Sequence, residues 1–257
     1  MVVLELGDFM HTDPLMGPIY NEYILDHMEH EGMQAMVPGV RELSHYPEFV
    51  SLLADRPIEV VCSNVALAGE GGAAPIGRRS HVITVADVRV GLLGVVGVEE
   101  FDKVSPPEGL SYGFQEPGDA IAELAPALAE SSDIVVVMAT IGDKAATALA
   151  SEIENVDILL GGHFSIASRN PLLSGDVIVS RSGLRGIFLP TTRVIVSPEG
   201  AIADWYGYNY ELDATYPSDP VVAAEVGEVE ERAKRVRQEA LIERVRGQRS
   251  QQVVPER

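Results

Sequence analysis

The sequence is poor in cysteine and in basic residues. Its single cysteine, Cys62, excludes an intrachain disulfide framework and every zinc or haem motif that needs several cysteines. Only 19 Lys and Arg residues stand against 39 Asp and Glu residues, which gives a formal net charge of -20. This balance argues against nucleic acids and anionic membranes as partners, because both attract clustered Lys and Arg side chains.

Long hydrophobic runs are also absent. The longest apolar stretch, residues 88–98, is interrupted by Arg89 and by glycines and is too short to span a bilayer. The first eight residues have neither the basic region nor the apolar core of a signal peptide. The sequence therefore predicts no membrane insertion and contains no recognisable export signal.

What the sequence does contain is an alternation of short apolar runs and helical patterns, which is typical of a β-sheet covered by helices. The clearest βαβ unit has strands at 134–138 and 156–160 and a helix at 144–153. A hairpin is predicted at 81–85 and 88–96. The fold class is therefore α/β.

The same patterns predict further elements along the chain. Helices are expected at 18–31, 47–54 and 120–128, and strands at 2–6, 58–62, 176–180, 187–196 and 201–210. The segment 38–42 is predicted to be a loop. Tyr206, Tyr208 and Tyr210 alternate along the last strand and are expected to pack on one face of a sheet.

The composition changes near residue 221. Residues 222–246 form a predicted helix with a thin valine and alanine stripe, which favours packing against another surface. From Val222 onwards 8 basic and 7 acidic residues nearly cancel, so the negative charge lies in the preceding part. Residues 247–257 are predicted to be a disordered tail. The domain is therefore expected to comprise residues 1–220.

Five predicted strands run directly into small or polar residues, at 7–8, 38–42, 63–64, 139–143 and 161–165. In an open α/β sheet ligands bind at the carboxyl ends of the strands, because the loops diverge there and leave a crevice. The pattern predicts a functional site at this edge of the sheet. It does not identify the chemistry of that site.

The order of these clusters resembles the N-terminal catalytic domain of the metallophosphoesterase superfamily, specifically the 5'-nucleotidase branch. Residues 4–8 resemble its Gly-Asp motif, residues 32–42 the segment with its Gly-Asn-His-Glu motif, and residues 156–163 its Gly-Gly-His run. Similarity continues through residues 60–65, 90–96, 138–142 and 182–186. The resemblance implies a sandwich of two mixed β-sheets flanked by helices over residues 1–220.

The resemblance also implies a centre of two divalent ions, which would lower the pKa of a bridging water and stabilise charge on phosphate. It assigns the bridging carboxylate to Asp8 and an imidazole ligand to His163. Ligand positions are occupied by residues of other types, namely Val40, Thr140 and Ser165. The family's first motif, Asp-x-His, is expected to be missing because the sequence begins after its position. We therefore expect no metal, or at most one divalent Zn or Mn ion.

Arg41 stands where the family places a catalytic histidine, and Glu42 follows it. A guanidinium can bind phosphate through two hydrogen bonds, and it repels a cation by about 4 kcal/mol per unit charge at 4 Å and an effective dielectric constant near 20. Arg41 thus fits a metal-free anion contact better than a dimetal centre. The alternative is an ion pair between Arg41 and Glu42 or a nearby acid.

Other candidate residues have simpler interpretations. His11 is a candidate substitute ligand, but a solvated loop position suits it better. His27 and His30 are expected on the solvated face of a helix. Cys62 is expected to be an inert core thiol, and Asn64 either supports the site or serves in a turn.

Three functions are compatible with these observations. The first, which we favour, is a degenerate 5'-nucleotidase-like domain that acts as a structural or binding module. The second is an active metal-dependent phosphomonoesterase, and the third is a module of an exported electron-transfer assembly. The resemblance implies a periplasmic or extracellular location. A protein partner is expected to bind through the C-terminal helix.

Overall fold

The computed structural model describes residues 1–68, 72–163, 169–183, 186–198 and 200–251. The strands are β1 (Leu4–Glu5), β2 (Ala35–Met36), β3 (Glu59–Val60), β4 (Val65–Ala68), β5 (Ala74–Pro75), β6 (His81–Val85), β7 (Val88–Val96), β8 (Ser111–Phe114), β9 (Ile134–Thr140), β10 (Ile158–Gly162), β11 (Leu172–Ser174), β12 (Val177–Arg181), β13 (Phe188–Val196) and β14 (Ile202–Glu211). The helices are α1 (Gly17–His30), α2 (Val40–Ser44), α3 (Tyr46–Leu53), α4 (Val98–Phe101), α5 (Pro117–Ser131), α6 (Asp143–Glu152) and α7 (Pro220–Gln251).

The strands form a large mixed sheet and three smaller sheets. The large sheet has the order β11-β12-β10-β9-β7-β6, with β7, β9, β10 and β12 parallel and both edge strands antiparallel. A second sheet, β1-β2-β3, is parallel throughout its described strands. The name "three-stranded sheet" refers below to this sheet. The pair β13-β14 and the small sheet β5-β4-β8 are antiparallel.

Side chains of the large sheet alternate between two hydrophobic cores, as expected for strands that are buried on both faces. Leu93, Val95 and Val137 face one core, which helices α5 and α6 cover. Leu92 and Val136 face the other, where the three-stranded sheet and the β13-β14 pair pack against them. The two sheets therefore form a sandwich with helices outside.

Helices α1 and α3 cover the outer face of the three-stranded sheet. Leu25 of α1 and Phe49 of α3 are buried there with Met36 of β2. This completes the layer order helix, sheet, sheet, helix. The predicted metallophosphoesterase-like sandwich with flanking helices is confirmed.

The predicted hairpin is also confirmed, with β6 and β7 at the expected bounds. Its two-residue turn, Ala86-Asp87, has φ angles of 49° and 67°. Positive φ at both central residues is the geometry that matches the twist of adjacent antiparallel strands. The βαβ unit follows its prediction within two residues at each boundary.

Three local predictions are wrong. The segment 38–42 is not entirely a loop, because α2 begins at Val40 and its first turn contains Glu42. Tyr206, Tyr208 and Tyr210 share a face of β14, but that face is solvent-exposed, since the opposite face of the hairpin packs on the core. The final helix extends to Gln251, so the tail predicted from residue 247 is helical for its first five residues.

Helix α7 packs against α1 near the surface of the domain. Ala233 is the contact residue that is 1% exposed, and most other residues of α7 are exposed. Within the described ranges, none of the helices combines the length and the apolar composition needed to cross a membrane.

Candidate functional site

The carboxyl ends of β1, β9 and β10 meet at one edge of the sandwich, and this places Asp8 beside His163. The Asp8 Oδ2 and His163 Nδ1 atoms are 3.0 Å apart, although 155 positions separate the residues in sequence. Both have left-handed backbone conformations, with φ angles of 62° and 64°. Such conformations are costly for residues other than glycine and concentrate at functional sites. The two residues predicted from the resemblance are therefore brought together.

The contact changes the protonation of both partners. Burial alone would raise the pKa of Asp8, but the hydrogen bonds from His163 and from the Arg41 backbone N–H outweigh it and hold that pKa below its ordinary value. The hydrogen bond to Asp8 raises the pKa of His163 against the opposing effect of burial. The contact therefore stabilises the ionised form of Asp8 and the protonated form of His163 relative to the same groups without their partner.

Glu42 is fully buried and holds the Asp8 loop against the start of α2. Its carboxylate accepts backbone N–H groups of Asp8 at 2.8 Å, Gly39 at 2.8 Å and Met10 at 3.0 Å. Burial raises its pKa, although these hydrogen bonds act in the opposite direction. The Glu42 carboxylate is directed into the loop framework and holds the Asp8 loop and the start of α2 together. The catalytic role assigned to Glu42 from the sequence stays a prediction.

Arg41 is exposed at the same edge and supports the same loop. Its Nη1 donates to the carbonyl oxygens of Asp8 at 3.3 Å and Met10 at 3.1 Å. The proposed ion pair with Glu42 is not the arrangement found, because the Glu42 carboxylate is occupied by backbone N–H groups. Arg41 nevertheless contributes positive charge beside Asp8.

The glycines at this edge allow the two loops to touch. A Cβ atom on Gly7 would lie 2.5 Å from the Gly39 nitrogen, and one on Gly39 would lie 2.6 Å from the Asp8 nitrogen. Gly7 also has a φ of 81°. Any side chain at these positions would therefore separate the Asp8 loop from α2.

Two of the positions assigned to lost ligands are occupied by residues with no free donor for a metal. Thr140 is completely buried, and its hydroxyl donates to the carbonyl oxygen of Leu6 at 2.8 Å. That hydrogen bond ties the end of β9 to the end of β1. Val40, the first residue of α2, has an aliphatic side chain. Ser165 lies outside the described residues.

Glu100 is a site residue that the sequence analysis missed. Its side chain is 3% exposed, and its Oε1 lies 3.9 Å from His163 Nε2 and 3.9 Å from Lys103 Nζ. Asp8 and Glu100 thus face opposite nitrogens of the His163 ring. A signal was present, since the acidic pair Glu99-Glu100 follows the apolar strand β7 after two intervening residues.

Glu5 is a second missed residue. Burial raises its pKa to about 7, and the neighbouring charges of Glu42 and Asp8 add to this effect. Its Oε1 accepts the backbone N–H of Leu6 at 3.0 Å. A carboxyl group that titrates near neutrality therefore lies behind the Asp8 loop.

The remaining candidates lie elsewhere or are structural. His11 contacts the ring of Tyr20, and the rings of His27 and His30 stack on α1, so these histidines are not part of the Asp8 site. Asn64 supports the edge from beneath: its side chain bonds both the N–H and the carbonyl of Val96. Cys62 is fully buried, and burial raises its pKa to about 12, as expected for an inert thiol.

These residues do not fit a dimetal centre. Asp8 and Glu100 flank His163 from opposite sides, so the three side chains do not converge on a common point. Consistently, no group of three or more His, Cys, Asp or Glu side chains in the described parts of the chain is arranged to hold a metal ion. The Arg41 guanidinium adds a positive charge at the same edge, which disfavours a cation.

Comparison with known proteins adds information at the level of the fold. No protein-family model matches the sequence, and no curated protein is significantly similar to it. Among solved structures, a 5'-nucleotidase precursor from Thermus thermophilus is similar over 94% of this chain, with a TM-score of 0.74 and 17% identity. The calcineurin-like phosphoesterase YfkN from Bacillus subtilis is similar over 92%, with a TM-score of 0.74 and 19% identity. The chain has the metallophosphoesterase-like fold.

The extent of the shared fold differs between these structures. The chain spans 50% of the Thermus 5'-nucleotidase precursor and 85% of the YfkN structure. A third similar structure, the sulfate thiohydrolase SoxB from Thermus thermophilus, has a TM-score of 0.73 and 21% identity over 93% of this chain, which spans 43% of it. The metallophosphoesterase-like fold of this chain thus corresponds to about half of two of these proteins.

Proposed function

We propose that this chain is a metallophosphoesterase-like domain without a complete dimetal centre, and that it acts as a binding or structural module. The observation that carries the proposal is that polar side chains at this edge of the sandwich bind the backbone of the chain itself. Thr140 and Arg41 direct their polar groups to backbone carbonyls, and Glu42 directs its carboxylate to backbone N–H groups. The Thr140 hydroxyl, the Glu42 carboxylate and the Nη1 nitrogen of Arg41 are thus engaged by the backbone rather than by a metal or a substrate.

The positions of the two sheets relative to each other support the same proposal. The bond between Thr140 and the Leu6 carbonyl, and the contact between Asp8 and His163, both join the three-stranded sheet to the large sheet. The edge is therefore closed by contacts between its own residues. A metallophosphoesterase-like framework whose edge residues bind one another suits a module that binds a partner through its surface and catalyses no reaction.

One observation favours the second candidate, an active metal-dependent phosphomonoesterase. Asp8 and His163 remain adjacent and partly exposed, with 19% and 34% of their side chains accessible. Two such groups offer at most part of the ligand set of a single metal ion. Arg41 as an anion contact and an exported location both remain predictions that follow from the resemblance.

Metal content and phosphatase activity test the proposal. The full chain is incubated with manganese, zinc or cobalt, desalted, analysed for bound metal and assayed with a nitrophenyl phosphate. We expect substoichiometric metal and no turnover that depends on Asp8. Two tightly bound divalent ions per chain would overturn the proposal.

Two variants separate genuine site activity from contamination. Asp8→Asn removes the carboxylate at the site, and Asp87→Asn makes the same change in the β6-β7 turn, where the backbone is also left-handed. Metal-stimulated turnover that disappears in Asp8→Asn but persists in Asp87→Asn would establish the second candidate instead. Background activity that is equal in both variants would support the proposed module.

A further inference from the structure

An open groove lies between helix α6 and the edge of the large sheet that β11 and β12 form. Its volume is about 510 Å³. Small-molecule binding sites have volumes of roughly 300–1,000 Å³, so the groove is large enough for such a ligand. Helix α6 lines one wall with residues three and four positions apart, which lie on one face of a helix. The residues that line this groove, called the α6 groove below, are Lys144, Thr147, Ala148, Ser151, Ser174 and Arg181.

The register of the large sheet explains where the α6 groove is open. β11 begins at Leu172, opposite Val179 of β12, so β12 continues past its edge neighbour. Side chains alternate along a strand, and Val177 and Val179 pack in the core that α6 covers. Arg181 therefore lies on the same face of the sheet as these valines, towards α6. In the described part of the chain, no strand pairs with Arg181 on the side of β11.

The basic residues of the α6 groove lie at its end near the carboxyl ends of the strands. Arg181 pairs with Gly161 of β10, one residue before that strand ends, and Lys144 lies in the first turn of α6. The backbone of Arg181 is held in place, because its carbonyl oxygen accepts the Asn209 side-chain amide at 2.6 Å. Among the described residues, no acidic side chain lines the groove. This end therefore carries positive charge only.

The other end of the α6 groove carries hydroxyl groups. Ser174 Oγ donates to the Thr147 carbonyl oxygen at 3.2 Å, and Ser151 Oγ donates to that of Ala148 at 2.7 Å. The first of these bonds joins β11 to α6 and holds the two walls together. Lys144 and Ser151 lie two turns of α6 apart, which corresponds to about 10 Å along the helix axis. The groove is thus long enough for a charged group followed by an uncharged ring.

Lys144 differs from the other lysines of the chain. Lys103 lies 3.9 Å from Glu100, and Lys234 lies 2.7 Å from Glu231. Lys144 is exposed and forms no ion pair within the ranges that the structure describes. In a chain with 39 acidic and 19 basic residues, an ammonium group without a carboxylate partner is left to attract an anion from solution.

Arg181 and Lys144 suit different features of an oxyanion. A guanidinium presents a planar pair of donors that matches two oxygen atoms of a phosphate or a sulfate, whereas an ammonium acts as a point charge. Because both charges lie at one end, the α6 groove fits a ligand with a single anionic group. An acidic peptide or a nucleic acid carries charges along its length, and the serine end provides no cation for them.

We propose that the α6 groove binds a small organic molecule that carries a phosphate or a sulfate group. The oxyanion contacts Lys144 and Arg181, and the uncharged part of the ligand lies along Ala148 towards Ser174. The side chain of Ala148 is a single methyl group, which leaves room for that part. None of the groove residues is among those that surround Asp8, so this site goes beyond the proposed function and does not depend on it.

Titration of the full chain with phenylphosphonate, followed by nuclear magnetic resonance of its backbone amides, tests the proposal. This probe combines a ring with a tetrahedral oxyanion and contains no phosphoester bond, so any phosphatase activity leaves it intact. We expect saturable shifts in α6, β11 and β12 with a dissociation constant on the order of 1 mM, and no saturable shifts with sodium chloride at the same ionic strength. The absence of saturable shifts in these elements would overturn the proposal, whatever the metal and phosphatase assays show.

A lysine variant and its matched control test the charge of the groove. Lys144→Gln is expected to raise the dissociation constant of phenylphosphonate about fivefold or more, which corresponds to the loss of one charge-assisted contact. Lys234→Gln makes the same change in α7 and should leave that constant unchanged. Equal effects of the two substitutions would overturn the assignment of the oxyanion to Lys144.

A third variant tests the shape of the groove without changing its charge. Ala148→Trp fills the space beside Ser174, and we expect it to weaken the binding of phenylphosphonate by roughly tenfold and that of inorganic phosphate by less than about threefold. Unchanged binding of phenylphosphonate would overturn the position given to its ring. Circular dichroism establishes that each variant retains its helical content.

Benzenesulfonate distinguishes the two classes of ligand. It has the same ring as phenylphosphonate, with a sulfonate group in place of the phosphonate. Tighter binding of phenylphosphonate indicates a ligand with a phosphate group, and tighter binding of benzenesulfonate indicates one with a sulfate group.

Discussion

The loops of the three-stranded sheet and those of the large sheet meet at the same edge, but they are held in different ways. On the side of the three-stranded sheet, Glu42 and Arg41 together make five hydrogen bonds to the backbone of the Asp8 loop and α2. On the side of the large sheet, Thr140 makes one hydrogen bond to Leu6, and His163 reaches Asp8 through its side chain.

This difference separates polar groups that hold the backbone from polar groups that stay partly exposed. The carboxylates of Glu42 and Glu5 are enclosed and bonded to backbone N–H groups, so they stabilise a loop conformation. Asp8 and His163 are partly exposed and bonded to each other. A polar residue at a strand end is thus a functional candidate when at least one of its hydrogen-bonding atoms is not already used by the backbone, as for Asp8 Oδ2.

The largest expected effect comes from removing the support on the side of the three-stranded sheet. Glu42→Ala leaves three backbone N–H groups without their acceptor in a buried environment, and we expect a loss of about 3–5 kcal/mol in the free energy of unfolding. Urea denaturation near neutral pH measures this loss. Glu152→Ala, an exposed change in α6, is expected to have an effect below about 0.5 kcal/mol. Equal effects of the two substitutions would contradict the structural role of Glu42.

A smaller effect is expected at Glu5, where the pKa rises from 4.5 to about 7 on folding. The folded state binds this proton more tightly than the unfolded state. The contribution of Glu5 to stability is therefore greatest below the unfolded value and decreases as the pH rises towards 7. Above that range Glu5→Gln should increase the free energy of unfolding by up to about 3 kcal/mol. Urea denaturation between about pH 4 and 8 compares the two proteins, and parallel curves would contradict the raised pKa.

The smallest effect is expected for the pair that bridges the two sides. Because the pKa of Asp8 is lowered on folding, its contribution to stability is present above pH 3.8, the pKa of the unfolded chain. It is lost as the pH falls through the pKa of Asp8 in the folded protein. Because the pKa of His163 is raised on folding, its contribution to stability is complete below pH 6.5, the pKa of the unfolded chain. It is lost as the pH rises through the pKa of His163 in the folded protein. The coupling of the partly exposed pair is expected to be about 0.2–1 kcal/mol inside this window. A double-mutant cycle with Asp8→Asn and His163→Gln measures it, and a coupling that is unchanged at high pH would contradict the assignment.

Local patterns in the sequence were sufficient to predict much of the fold. The continuous apolar runs predicted the bounds of β9 and β10 within two residues of those observed. The pair Ala86-Asp87 predicted the turn between β6 and β7. The start of α2 was missed because Gly39, next to a proline, indicates a loop, whereas the contact of Glu42 with distant backbone groups stabilises a helix there. Such a contact has no local signature.

The candidate site was predicted only in part for the same reason. Asp8 and His163 were predicted because each lies in a glycine-containing segment after an apolar strand and matches a motif of the family that the sequence resembles. Their direct contact and the position of Glu100 depend on the packing of separate sheets, which a pattern along the chain does not contain. The tyrosines of β14 show the converse, since alternation identifies a common face but not which face is covered.

The complete burial of Cys62 makes its thiol a natural probe for local opening of the surrounding core. A thiol with a pKa near 12 and no solvent access does not react with a labelling reagent in the closed structure. Cys62 lies next to Val65 and Val96 in the core beneath α4 and β8. The rate at which it becomes labelled therefore measures how often that part of the core opens, and no introduced probe is needed.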